Sequence, residues 1–255
     1  MFVDISSSYN TALYVIAIEC FLFFAVITQT KTEEAESLDL EARGFAAFFL
    51  FQSLALLFWA FSNELFPGPF SYYSAHLSAA FGICCIFSLS FTAASIAVFD
   101  RRKRALHRFI VILNYGITAV CSILAIDFPG VTYDLAYLPE PIKQCIIGAA
   151  IGSLLANTIC CLIRCFEANK GRNGALISLL GSLFFIGTCI GWLYLNNVCV
   201  EETLSSFSPS CPLGKKFDHN FFWAIVLVVI NVLGAEGALR IMAANHEYED
   251  YVDIP

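Results

Sequence analysis

The chain has 255 residues, 58% of them hydrophobic and 14% charged, with a mean hydropathy of +0.73 and a formal net charge of -7. Soluble domains carry about 25% charged and about 45–50% apolar residues, so the surplus points to a bilayer rather than a soluble core. An acidic chain without a basic stripe offers nucleic acid nothing to hold, which excludes that partner.

A membrane helix needs about 20 predominantly apolar residues, and seven stretches meet that need. The first is 11–28; no basic segment precedes it and no small-residue cleavage site follows, so it reads as a retained span. Glu19 lies near its middle, in "IAIECFLFF". An acid at that depth is costly and marks a functional candidate. It is expected to be protonated, to bond to an Asn of a neighbouring helix or to line a cavity. The second span, 45–63, stops at "FPGPF", where two prolines and a glycine end any helix. The third, 73–98, runs into the basic "DRRKR". The fourth, 108–127, ends at "DFPG"; the fifth, 143–165, begins after "LPEP"; the sixth, 174–195, follows "NKGRNG". The seventh, 219–241, follows "KKFD". Within it Glu236 stands four residues before Arg240, a spacing that lets the two pair. Asn114, Asn157 and Asn231 also fall within spans, where Asn side chains join helices by hydrogen bonds.

Lys and Arg mark the cytoplasmic side. With the N-terminus outside, eleven of the fourteen basic residues fall on inner loops, including Arg101, Arg102, Lys103 and Arg104. Only Lys143, Lys215 and Lys216 fall outside. Seven spans then leave the C-terminus in the cytoplasm. The loops are too short for a further domain, so the chain is expected to form one all-α, seven-helix membrane domain, 1–255.

Nine of the eleven cysteines (Cys20, Cys84, Cys85, Cys121, Cys145, Cys160, Cys161, Cys165, Cys189) lie in or at the ends of apolar runs, where they act as small hydrophobes. There is no CxxC for a zinc ribbon or a redox pair. Cys199 and Cys211 share a polar outer loop and are expected to form a disulfide if that loop faces an oxidising compartment. Ser62, His76, Asp218 and His219 gather at the outer end of the bundle. Imidazoles with a carboxylate are potential zinc ligands, but polar capping of helix ends explains them as well. Asp218 fits an N-cap.

The segments "WLYLNNVCVEETLSSF" and "KKFDHNFFWAIVLV" resemble the sixth and seventh spans of alkaline ceramidases, members of the CREST superfamily of seven-span lipid hydrolases and relatives. "FWAFS" and "ICCIF" resemble that family's second and third spans. The resemblance implies a seven-span, N-out bundle, with zinc as cofactor and lipid amide hydrolysis as activity. It also implies one zinc His at the end of span two and two at the start of span seven. Here Ser62 stands at the first of those places, and His219 and Trp223 stand at the other two. His76 stands where the family has an Asp. Trp does not ligate zinc, and a catalytic zinc site needs three protein ligands and an open position.

The expectation is therefore a multi-pass membrane protein of eukaryotic type, in an endomembrane or the plasma membrane. It would be non-catalytic, acting in lipid binding or as a component of a membrane complex. The alternative is a ceramidase-like hydrolase with a metal site rebuilt from His76, Asp218 and His219. A seven-helix receptor ranks lower: the seventh span reads "NVLGAEGAL", without Asn-Pro-x-x-Tyr. A retinal protein would need a lysine in that span, and there is none. No internal repeat suggests a transporter. Membrane lipids and proteins of a membrane complex are the partners expected.

Overall fold

The computed structural model describes residues 7–33, 39–65, 69–97, 140–167, 172–199 and 219–252, together with 112, 116, 119 and 120. Six helices hold all the described residues but 65, 112, 116, 119 and 120: α1 (Ser7–Glu33), α2 (Asp39–Glu64), α3 (Pro69–Ala97), α4 (Glu140–Glu167), α5 (Arg172–Cys199) and α6 (His219–Val252). The local sequence explains several ends. α3 opens on Pro69 and α4 carries Pro141 in its first turn, where the missing N–H costs nothing. α2 closes with Leu65 N donating to Phe61 O at 2.9 Å. The expected fourth span, 108–127, lies almost wholly outside the described residues.

Each helix packs on the next in chain order across α1–α2–α3 and α3–α4–α5–α6, and α6 returns to pack on α1 and touch α2. The core lies where α1, α2 and α6 meet. Along α1, Tyr9, Leu13, Ile16 and Cys20 are buried at three- and four-residue steps, with Ile27 two turns on, which is the stripe a helix turns to its partners. Phe49, Leu56 and Ala60 of α2 and Ala224, Leu227, Ala235 and Ala238 of α6 complete it.

The opposite faces are apolar too. Val15, Ile18, Leu22 and Val26 form the outer face of α1, with Ile18 61% exposed; Leu176, Leu180, Leu183 and Phe184 do the same on α5. Helices apolar all round belong inside a large core or a membrane. Four stretches are long and apolar enough to cross a bilayer: Tyr9–Gln29, Arg43–Glu64, Arg172–Gly191 and Phe222–Ala244. Counted over the described residues, the apolar stretches Tyr73–Ser88 and Ile151–Phe166 are shorter. Helices of this length with apolar outer faces are the pattern of a multi-pass membrane protein.

Small residues let the helices approach. A Cβ on Gly174 would lie 2.9 Å from Gly237 O and Ile241 N, so α5 and α6 touch backbone to backbone there. That is the small-residue packing membrane helices use. Serines tie α1 to α2 and α2 to α3: Ser53 Oγ donates to Ala17 O at 2.7 Å, and Ser78 Oγ to Ala55 O at 2.7 Å. Between α2 and α3, Phe81 stacks on both Phe51 and Phe58, with ring centroids 6.3 and 5.6 Å apart.

Candidate functional site: a mid-span polar cluster and an apolar groove

Three polar side chains from three different helices meet in the core. Glu19 is the central residue of the apolar stretch of α1, and Gln52 of α2 and Asn231 of α6 stand within two residues of the centres of theirs. Asn231 is the hub and is 2% exposed. Its Oδ1 accepts from Gln52 Nε2 at 3.0 Å, and its Nδ2 donates to Cys20 Sγ at 3.2 Å. Its side chain also stands beside the Glu19 carboxyl group. The partner expected for Glu19 on a neighbouring helix is thus Asn231.

The cluster retains two oxygens that accept no hydrogen bond among the described residues, Glu19 Oε2 and Gln52 Oε1; both are sealed from solvent. α2 carries no charged residue between Arg43 and Glu64, and α6 carries none between Phe222 and Glu236. On the two helices packed against its own, no cation therefore stands at the depth of the carboxyl group; Arg43 and Arg240 lie toward the helix ends.

A second inter-helix bond repeats the pattern: Asn157 Nδ2 of α4 donates to Ser182 Oγ of α5 at 3.0 Å, with both residues buried. At the far end of α6, Arg240 Nε lies 2.6 Å from Glu236 Oε1, with both side chains about half exposed. Asn114 lies outside the described residues.

The other sequence candidates are placed only in part. Ser62 and His76 are buried, 1% and 4% exposed, on the packed pair α2 and α3. Ser62 O accepts from Ser71 Oγ at 2.8 Å, while Ser62 Oγ is buried without a hydrogen-bond partner among the described residues. Asp218 and Cys211 lie outside the described residues; His219 opens α6 and Cys199 ends α5, and only their backbone is described. The Cys199–Cys211 pairing and the joining of Asp218 and His219 to Ser62 and His76 therefore fall outside what is described. Among the described residues no three His, Cys, Asp or Glu side chains group as metal ligands. A hydroxyl at Ser62 and an indole at Trp223 do not fit the zinc that the ceramidase resemblance implies, and no step through a metal is derived.

A groove of about 500 Å³ runs between the second half of α5 and the start of α6. Leu183, Phe184, Gly187 and Gly191 line it from α5, and Phe222 and Trp223 from α6. A Cβ on Gly187 or Gly191 would meet nothing within 4 Å. The two glycines, one turn apart, leave the space that side chains would otherwise fill. Its wall is almost entirely apolar, with Thr188 as a hydroxyl contributor, and that hydroxyl donates to Phe184 O in its own helix at 2.7 Å.

Sequence reasoning marks Glu19 and Asn231 but misses Gln52, Cys20 and the groove. The signal for Gln52 was present, a carboxamide in the apolar run "FFLFQSLALLF". The signal for the groove was the pair of glycines in "GTCIG", four apart on one helix face. Comparison of the chain with models of protein families, with curated proteins and with solved structures gives no match.

Proposed function

We propose that this chain is a non-catalytic, multi-pass integral membrane protein that binds a lipid acyl chain in the groove between α5 and α6. The groove is the observation that carries the reading. Its volume falls within the range of about 300–1,000 Å³ usual for small-molecule sites. Its lining is apolar, and both walls belong to stretches long enough to span a bilayer. The solvent at that depth is lipid tails, so an acyl chain is the occupant at hand, and an open groove receives it sideways from the bilayer.

The same reading includes seven spans, an outer N-terminus and a Cys199–Cys211 disulfide in the outer loop. These rest on the distribution of Lys and Arg and on the redox logic of the compartment. The distant ceramidase-like ancestry belongs here as well, resting on the quoted segments alone. In that reading Ser62 and Trp223 stand for the loss of zinc chemistry and the lipid-binding bundle is what was kept. Non-reducing mass spectrometry that found Cys199 and Cys211 both as free thiols would remove the disulfide from the proposal.

The lipid claim is tested with a phospholipid carrying a photoactivatable group on its acyl chain, incorporated with the full chain into vesicles. Crosslinks are expected to concentrate on residues 183–191 and 222–226. Gly187→Leu together with Gly191→Leu starts from Cβ positions that meet nothing within 4 Å, fills the groove, and should reduce that labelling about tenfold while expression and melting stay unchanged. Labelling spread evenly over all outer faces, and indifferent to the two substitutions, would sink the idea.

A further inference from the structure

We propose that Glu19, Gln52 and Asn231 form a mid-membrane binding site for one positive charge, supplied by Na+ or by a proton. Two oxygens in the cluster are unanswered. Glu19 Oε2 and Gln52 Oε1 are both buried and neither accepts a hydrogen bond among the described residues. Gln52 is itself only 9% exposed. Gln52 bonds to Asn231 and the Glu19 carboxyl group stands beside the same Asn231, so the two side chains belong to one cluster. Buried polar atoms are almost always answered, and an acid in a bilayer is more demanding still.

The amide and hydroxyl donors of the cluster are already engaged, and a thiol is only a weak donor. From α6, Asn231 gives one amide hydrogen to Cys20 and also stands beside Glu19. From α2, Gln52 directs its amide nitrogen to Asn231, and Ser53 directs its hydroxyl to Ala17 O. Cys20 on the helix of Glu19 and Cys85 of α3 beside it are the titratable neighbours, and the Cys20 sulfur accepts from Asn231. The nearest charges on the packed helices are Arg43 and Glu64 at the ends of α2, and the Glu236–Arg240 pair toward the end of α6. None of them is at the depth of Glu19.

The chemistry of the donors selects the ligand. A carboxylate oxygen and a carboxamide oxygen are hard donors that suit hard cations. A single carboxylate carries a single negative charge, so one monovalent charge leaves the cluster neutral. A divalent ion would leave a net positive charge in hydrocarbon, at a cost no neighbour offsets. A proton on Glu19 reaches the same neutrality and turns a carboxyl oxygen into a donor. The site is separate from the groove between α5 and α6, and its fate does not depend on lipid binding.

The experiment uses the full chain in lipid nanodiscs. Thermal melting is followed in NaCl and in choline chloride of equal ionic strength, for the wild type and for Glu19→Gln, an isosteric variant without the charge. Infrared difference spectra of the same pair report the carbonyl stretch of a protonated carboxylic acid. With Na+ as the ligand, the wild type melts about 2–4 °C higher in NaCl, and the difference vanishes in the variant. With a proton as the ligand, the wild type ignores Na+ and shows the acid band, which the variant lacks. Gln52→Leu removes the second oxygen and leaves the acid. It should weaken the Na+ response or shift the acid band, and it serves the same purpose should Glu19→Gln not accumulate. A wild type with no response to Na+ and no acid band, matched by its variants, overturns the proposal.

Discussion

Asn231 and Glu236 sit on the same helix five residues apart, and burial alone should make their substitutions behave differently. Asn231 is enclosed, bonded to Gln52 and Cys20, and beside Glu19. Asn231→Ala strands the Gln52 amide and the Glu19 carboxyl at once. Inter-helix hydrogen bonds in membranes are worth about 0.6 kcal/mol on average and up to about 1.7, and a stranded buried group adds about 1–3 kcal/mol. The expected loss is about 2 kcal/mol, read as a fall in melting temperature of the purified chain in detergent. Glu236→Ala breaks an ion pair whose side chains are 47% and 51% exposed, and an exposed i,i+4 pair is worth only about 0.3–0.5 kcal/mol. Its melting curve should nearly superimpose on the wild type. Equal destabilisation by the two would mean that the cluster does not hold the helices together. At this scale the sequence was partly legible. Glu19 and Asn231 stand out because charge and carboxamide are rare at mid-span. Pairing them required knowing that α1 and α6 are neighbours, which 200 intervening residues do not reveal on their face.

At the scale of the helix, the glycines of α5 divide into two kinds that look alike in the sequence. Gly174 is pressed against Gly237 of α6, and a Cβ on Gly237 would collide with the Ser178 hydroxyl and come within 3.0 Å of Gly174 O. Gly187 and Gly191, on the same helix, look into open space. Gly237→Ala is expected to cost about 1–3 kcal/mol through overpacking, because the crowding atoms include backbone, which cannot swing aside. Gly187→Ala or Gly191→Ala should instead be neutral or stabilise by up to about 1 kcal/mol, since alanine is the better helix former. Melting temperatures of the three variants, measured side by side, give the sign. A stabilising Gly237→Ala would contradict the close contact of α5 and α6. The helices themselves were readable because a bilayer demands long apolar runs ended by Pro, Gly or charge, and each described helix overlaps an expected span. Their facing sides were not readable. When outer and inner faces are both apolar, hydrophobic periodicity loses the contrast that marks a core in water: on α1 Ile16 is buried while Ile18 is exposed.

For the molecule as a whole, the remaining question is which way the bundle crosses its membrane, and charge decides it. Hydrophobic burial is indifferent to inversion, because the four long apolar stretches fit a bilayer equally well in either sense. The asymmetry lies in the loops: with the seven spans proposed, eleven basic residues fall on one side against three on the other. Short loops with such an excess stay in the cytoplasm. The cluster Arg101–Arg104 lies outside the described residues, so its position rests on this rule alone. The native chain contains no Asn-x-Ser/Thr acceptor, which makes introduced acceptors a clean reporter of the lumenal or external side. An acceptor added ahead of residue 7 on a short polar extension should be glycosylated in a microsomal translation. One placed by insertion between Arg102 and Lys103 should stay unmodified. Replacing Arg101, Arg102, Lys103 and Arg104 with serine removes the densest part of the bias, and should give a mixed population in which part of the chain reverses both results. Glycosylation at 102–103 of the otherwise unaltered chain would invert the topology, place Cys199 and Cys211 on the reducing side, and remove the disulfide with it.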